Sequence, residues 1–175
     1  MNIKGKNVLI RAIEMDDAPL LLDMINDPET ENMLGGYSFP VSEHQQVAWI
    51  NSLTSDPRTF RGMIEVEGKA IGTVILTDID HKNGTAEFHI KLGTGNVRGK
   101  GYGVDACNAI IKYAFKELRL NCIYANVKED NYASRRLFQK SGFTEEGILR
   151  NRLFKDGSYH DVVSFSILAS ECENL

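Results

Sequence analysis

The sequence predicts a mixed α+β (α/β mixed) domain forming one unit over residues 1–175, on three observations. Segments at 62–66, 70–77 and 85–92 carry strand-type apolar patterns and are separated by the turn pairs Glu67-Gly68 and Asn83-Gly84, which predicts an antiparallel meander. Downstream, Val104, Cys107, Ile111, Ala114 and Leu118 recur at helical spacing, with Ile110 and Phe115 widening the stripe. No repeat, low-complexity tract or linker interrupts the 175 residues, a length that buries about two-thirds of the unfolded chain's surface.

The elements follow in order. Residues 8–10 read as a short first strand. Asp16 or Asp17 can cap a helix running to about Met24, with Pro19 in its first turn, where a missing N–H leaves no bond unmade. Residues 27–41 hold Pro28, Gly35, Gly36 and Pro40 and predict an irregular connection. Ser42-x-x-Gln45 is a capping box that opens a second helix carrying Val47, Trp49, Ile50 and Leu53, with Trp49 expected to pack. After the meander come a helix over 104–119 and a strand over 122–127. Asp130 or Asn131 caps a shorter helix that Gly142 stops. Residues 143–154 and 161–168 then pair as a hairpin across Asp156-Gly157. The predicted order is βααβββαβαββ.

Between the third meander strand and the long helix lies Arg98-Gly99-Lys100-Gly101-Tyr102-Gly103. A strand, a glycine-dense loop and a helix in that order make an anion site. Glycines let backbone N–H groups turn toward a ligand, and the helix start adds partial positive charge. These residues point to a phosphate-bearing ligand, although a plain tight turn with solvated Arg98 and Lys100 would use the same types. Two familiar phosphate motifs fail on spacing. Gly99, Gly101 and Gly103 give G-x-G-x-G, with Val104 where a dinucleotide fingerprint needs its third glycine. Gly95 to Gly99 is one residue short for a P-loop, and Gly101 follows Lys100 where Ser or Thr belongs.

The pattern that fits is R/Q-x-x-G-x-G/A, at Arg98, Gly101 and Gly103. It resembles the acyl-CoA pyrophosphate loop of the GNAT acetyltransferases. The run from Asn131 through Ser134, Leu137, Phe138, Lys140, Gly142 and Phe143 resembles that family's N-x-x-(S/A)-x-x-(L/I)-(Y/F)-x-K-x-G-F segment. Glu146-Gly147-Ile148-Leu149-Arg150, Gly157-Ser158-Tyr159-His160-Asp161 and the opening Ile10 to Ala18 resemble the branch that acetylates N-termini of ribosomal proteins. The resemblance covers nearly the whole chain.

It implies a single-domain GNAT fold: a mixed, mostly antiparallel twisted sheet with helices on both faces, whose strands at 87–92 and 122–127 run parallel and splay apart. It implies acetyl-CoA as co-substrate, its pantetheine arm in the gap against the backbone of Ile90 and Leu92. The pyrophosphate would lie on Arg98, Gly99, Lys100, Gly101, Tyr102 and Gly103. Asn131 would bond the pantetheine or a backbone group, or cap its helix. Ser134 would approach the coenzyme sulfur, and Glu87 is the first choice for general base, with His89 second. An ordinary cross-strand role is open for both. Phe138 stands where many relatives carry a proton-donating tyrosine, a departure from the family. The connection 93–97 is one residue longer than usual, which would displace any bulge by one position.

An apolar fraction of 42% and a charged fraction of 25% are those of a soluble globular protein. Twenty basic against twenty-four acidic residues disfavour a nucleic-acid binder and suit a cationic amine acceptor. Cys107, Cys122 and Cys172 lack metal-type spacing and predict a reduced, cytoplasmic protein without a metal. The first six residues precede no apolar run, and no stretch reaches the length of a membrane span. The expected partners are acetyl-CoA and an amine acceptor such as a protein N-terminus, with a monomer or homodimer as the assembly. Ala86-Glu87-Phe88 with Asp78-Ile79-Asp80-His81 also resembles the spermidine acetyltransferases, and amino sugars or antibiotics are further acceptors. A non-catalytic acyl-CoA sensor is the reading of another class, with Phe138 in its favour.

Overall fold

The computed structural model describes residues 1–36, 39–53, 56–94 and 97–174. Strands β1 (Ile3–Lys4) and β2 (Leu9–Arg11) lead into helices α1 (Ala18–Asn26), α2 (Pro28–Leu34) and α3 (Glu43–Asn51). A meander of β3 (Phe60–Val66), β4 (Lys69–Asp80) and β5 (Thr85–Leu92) follows. The chain then passes through α4 (Tyr102–Lys116), β6 (Cys122–Lys128), α5 (Tyr132–Lys140), β7 (Thr144–Lys155) and β8 (Ser158–Leu168). The eight strands form one sheet in the order β1-β2-β3-β4-β5-β6-β8-β7. β5 and β6 run parallel and every other neighbouring pair antiparallel.

Alternation along the strands sends successive side chains to opposite faces. Ile64 faces α4, while Met63 beside it faces α1 and α3, packing with Ala18, Leu21 and Ile50. On the α4 side, Val74, Leu76, Phe88, Ile123 and Phe165 pack against Ala106, Cys107, Ile110, Ile111 and Ala114. Helices therefore cover both faces. Burial pushes the Cys107 thiol up to about 12, against a smaller downward pull from its bond with Ser141, so Cys107 serves as a small apolar residue.

Three expectations need correction. Residues 27–41 are not irregular throughout. Asp27 caps α2 by accepting from the Thr30 amide, Pro28 occupies its first turn, and Gly35 ends it at φ 64°. Pro28 and Gly35, which read as breakers, are the punctuation of a seven-residue helix. The Asn83-Gly84 hairpin forms as expected, with residues 81–84 as its turn between the paired Asp80 and Thr85. Asp17 holds the N-cap position of α1, but its carboxylate is taken by Arg11 and the Glu14 amide. Trp49 keeps 37% of its surface exposed, and Ile50 packs instead. The capping box at Ser42 and Gln45 forms as expected.

Candidate active site

Two strands that pair briefly and then part create the site. β5 and β6 are in parallel register only at Thr85 with Cys122, Ala86 with Ile123 and Glu87 with Tyr124. Beyond that point β5 runs on to Leu92 and β6 to Lys128 with no ladder between them. On its far side β5 stays paired to β4 without a shift from Thr77–Glu87 to Gly72–Leu92, so no bulge interrupts this stretch. The Gly93 amide donates to the Ile71 carbonyl at 2.8 Å. By alternation, the main-chain groups of Ile90 and Leu92 point away from β4, toward the gap. Gly95 and Asn96 of the lengthened connection lie outside the described residues.

The gap opens into a cleft of about 330 Å³, lined by His89, Ile90, Asn126, Asn131, Ser134 and Phe138 among others. The start of α4 lies against the end of β5, where a Cβ at Gly103 would stand 3.4 Å from Leu92 Cδ1, and its N-cap is Gly101 at φ 83°, which has no side chain to cap the helix. First-turn amides of a helix have no intrahelical partner, so an uncapped start is an anion seat. Among the described residues, a Cβ at Gly99 or Gly101 would meet no atom within 4 Å. The loop therefore has backbone donors and open space beside them, which suits a diphosphate. Lys100 is exposed in the same loop, and Tyr102 begins the helix. Gly103 does something different. A Cβ there would stand 2.8 Å from Leu137 Cδ1, so its bareness lets α4 and α5 touch. Arg98 turns back on the strand end, donating to the carbonyls of Gly93 at 3.2 Å and Leu92 at 3.4 Å and to Thr30 Oγ1 at 2.9 Å.

The sequence-derived candidates are partly brought together. Asn131 caps α5 by accepting from the Ser134 amide at 3.1 Å and donates to the Met33 carbonyl at 3.2 Å, so it ties α5 to α2. Ser134 faces the cleft one turn before Phe138. Phe138, where a tyrosine would supply a proton, is buried among Phe88, Phe143 and Phe165, with ring centroids 4.9–5.9 Å apart. Glu87 stands at the last paired position beside the cleft, accepting from Asn126 Nδ2 at 3.0 Å. His89 Nε2 lies 2.9 Å from Thr77 Oγ1 and 3.9 Å from the Glu87 carboxylate. Burial and then the neighbouring Glu87 charge push the Tyr124 phenol up, which keeps it a proton-bearing donor.

Sequence reasoning missed the roof of the cleft. Glu31 of α2 pairs with Lys91 of β5, and both line the cleft with little solvent access. Lys128, 4% exposed, pairs with Asp130 at 2.8 Å on the opposite wall. Asp105, in the first turn of α4, accepts from the amides of Lys6, Asn7 and Val8 at 2.6–3.1 Å and fastens the β1–β2 turn to that helix. Among the described residues, no group of three or more His, Cys, Asp or Glu side chains is placed to hold a metal ion. No helix among them is long and apolar enough to cross a membrane.

Comparison with known proteins agrees with this architecture. The model of the acetyltransferase (GNAT) domain matches residues 7–144. The uncharacterized N-acetyltransferase p20 of Bacillus licheniformis is 34% identical, covering 95% of this chain and 95% of that protein. The "Putative ribosomal N-acetyltransferase YdaF" of Bacillus subtilis is 30% identical, covering 97% and 95%. The solved structure of spermidine N-acetyltransferase from Vibrio cholerae, in complex with CoA and spermine, superposes with a TM-score of 0.88 at 27% identity over 97% of this chain and 100% of that one. The uncapped start of α4, the parted strands and these matches assign the chain to the GNAT family of acetyltransferases, as an N-acetyltransferase.

Proposed function

We propose that the chain transfers an acetyl group from acetyl-CoA to a primary amine by direct attack in a ternary complex, and that the acceptor is a protein N-terminal α-amine. Acetyl-CoA supplies the acyl group as a thioester with a tolerable leaving group. Gly99, Gly101, Tyr102 and Gly103 would hold the diphosphate through main-chain amides, with Arg98 and Lys100 adding charge. The Ile90 and Leu92 main chain would hold the pantetheine arm and bond the carbonyl oxygen as it gains charge. Glu87, through His89 or a water, would take the amine's proton. Ser134 would donate to the departing thiolate, a part that Phe138 cannot take.

The observation that carries the acceptor reading is charge pairing in the cleft. Glu31 is the one carboxylate among the described residues lining it, and Lys91 already neutralises it. Lys128, on the other wall, is matched by Asp130. Such a wall offers nothing to the second ammonium of a polycation but tolerates one amine on a neutral chain. An α-amine near pKa 8 costs about 1.4 kcal/mol to deprotonate at pH 7, against about 4.6 kcal/mol for a lysine-like amine near 10.4. A modest base therefore suffices for the first. The likeness to the spermidine-acetylating structure favours a polyamine as the second reading. CoA release measured across N-terminal peptides, spermidine and an amino sugar tests both. A higher kcat/KM on Ala- or Ser-started peptides is the expected result, and preference for spermidine reverses the assignment.

A further inference from the structure

We propose that Thr30 is a positioning residue that couples the glycine loop before α4 to α2, so that a coenzyme held by the loop also sets one wall of the acceptor cleft. The proposal rests on the acyl-transfer reading, but not on which amine accepts. Thr30 lies in the first turn of α2 and keeps only 6% of its surface exposed. Its hydroxyl bonds in two directions. It accepts from Arg98 Nη2 at 2.9 Å and donates to the Asp27 carboxylate, to which the Thr30 amide also donates at 2.9 Å. One oxygen thus joins the first residue of the loop to the cap of the helix. The Thr30 hydroxyl above all, against a smaller opposing effect of burial, holds the Asp27 carboxyl below its usual range, and the Arg98 and Lys91 charges act in the same direction.

Threonine hydroxyls mostly bond within a few residues of themselves, whereas this one also takes a donor 68 residues along the chain. What lies on each side of that bond gives it a function. On one side, the Arg98 guanidinium also reaches the carbonyls of Gly93 and Leu92, so it clamps the loop to the end of β5. On the other side, α2 carries Glu31, Met33 and Leu34 into the cleft. Further ties on α2 come from Lys91 of β5, which pairs with Glu31, and from Asn131 at the start of α5, which donates to the Met33 carbonyl. A seven-residue helix has little stability of its own, so its position follows the groups that hold it. When the loop amides hold a diphosphate, residue 98 is fixed, and with it the donor that Thr30 accepts from. Such coupling is reciprocal: the acceptor tightens the coenzyme by the same factor as the coenzyme tightens the acceptor.

Calorimetry on the full chain with CoA, an Ala-started peptide and spermidine tests this. In the wild type, saturating CoA should tighten binding of the amine that is turned over by about fivefold or more. Thr30→Val keeps the shape and loses the hydroxyl. It should abolish that factor and raise the amine KM, with kcat and the affinity for CoA alone within about twofold of wild type. Thr30→Ser, which keeps the hydroxyl, should retain the factor. Hydrogen exchange gives a readout independent of turnover: CoA should slow the α2 amides in the wild type and in Thr30→Ser, but not in Thr30→Val. Undiminished tightening in Thr30→Val overturns the proposal. So does a wild type in which CoA leaves the amine's affinity unchanged, a result that needs no variant to fold. Turnover of spermidine alone reverses only the acceptor reading, because the factor is then read on spermidine. A wild type that binds no CoA overturns both.

Discussion

Asn126 Nδ2 donates to the Glu87 carboxylate at 3.0 Å across the point where β5 and β6 part. The bond leaves the second carboxylate oxygen toward His89, 3.9 Å away, and fixes the acid at the mouth of the gap. If Glu87 accepts the amine's proton, Glu87→Gln should lower kcat about 10²–10⁴-fold. The melting temperature should hold, because glutamine can still accept from Asn126. Asn126→Leu should cost less in kcat than Glu87→Gln, since it frees the carboxylate without removing it. Steady-state rates at saturating acetyl-CoA over pH 6–9 check both. Full activity in Glu87→Gln would move the base to His89.

Ser134 and Phe138 lie one helical turn apart on α5, one polar at the cleft and one buried among aromatic rings. A hydrogen bond to a charged partner contributes about 1.5–3 kcal/mol. Ser134→Ala should therefore lower kcat roughly 10- to 100-fold while leaving the KM for acetyl-CoA within about twofold. Phe138, packed among aromatic rings but also lining the cleft, has no hydroxyl that could stand in for the serine. Unchanged turnover in Ser134→Ala removes the residue from the mechanism.

Gly101 and Gly103 separate binding from packing. At Gly101 an added Cβ meets no atom of the described residues within 4 Å, but the backbone sits at φ 83°. Gly101→Val should thus cost about 1–2 kcal/mol of stability through left-handed strain. Its larger effect should be on acetyl-CoA affinity, because the side chain fills the space beside the α4 amides. Gly103→Val should show the reverse order of severity, since its side chain strikes Leu137 and Leu92. Calorimetry with acetyl-CoA and thermal melts of both variants decide the matter. Wild-type affinity in Gly101→Val would detach the loop from the diphosphate.

These contrasts mark where sequence reading succeeds. Periodicity found α4, and turn residues such as Asp156-Gly157, both at positive φ, placed the β7–β8 hairpin. The order of strand, glycine loop and helix was legible because the three follow one another along the chain. The parallel β5–β6 pair came only through family resemblance, since nothing local specifies a partner strand. α2 was hidden because a seven-residue helix bounded by Pro28 and Gly35 carries the same residue types as a loop. The Glu31–Lys91 pair was hidden for another reason. Its members are 60 residues apart in sequence and meet only after α2 folds over β5.

That pair yields a stability prediction. Glu31 and Lys91 are largely shielded from water, so removing one leaves the other charge poorly solvated. Glu31→Leu should destabilise by about 2 kcal/mol or more, whereas Glu31→Leu with Lys91→Met should return close to wild type. Denaturant titrations of the three variants give the comparison. A double variant as unstable as the single would mean that packing, not charge, dominates at this position.

Asp17 makes the pH dependence of folding testable. Burial alone would raise its carboxyl, but hydrogen bonds from Arg11 and the Glu14 amide, together with the Arg11 charge, outweigh that and hold it below the usual range. The unfolded chain therefore takes up this proton at a higher pH than the folded one, and folding must resist protonation. The stabilisation is present in full above the unfolded value of about 3.9 and disappears as pH falls through the lower folded value. Asp17→Asn should melt well below wild type at pH 7. The gap should narrow steadily as pH drops below about 4, because protonation then makes the wild-type side chain as neutral as the amide. Melts at pH 7, 5, 4 and 3 measure it, and a gap that stays constant to pH 3 would show that the Arg11–Asp17 bond contributes geometry without charge.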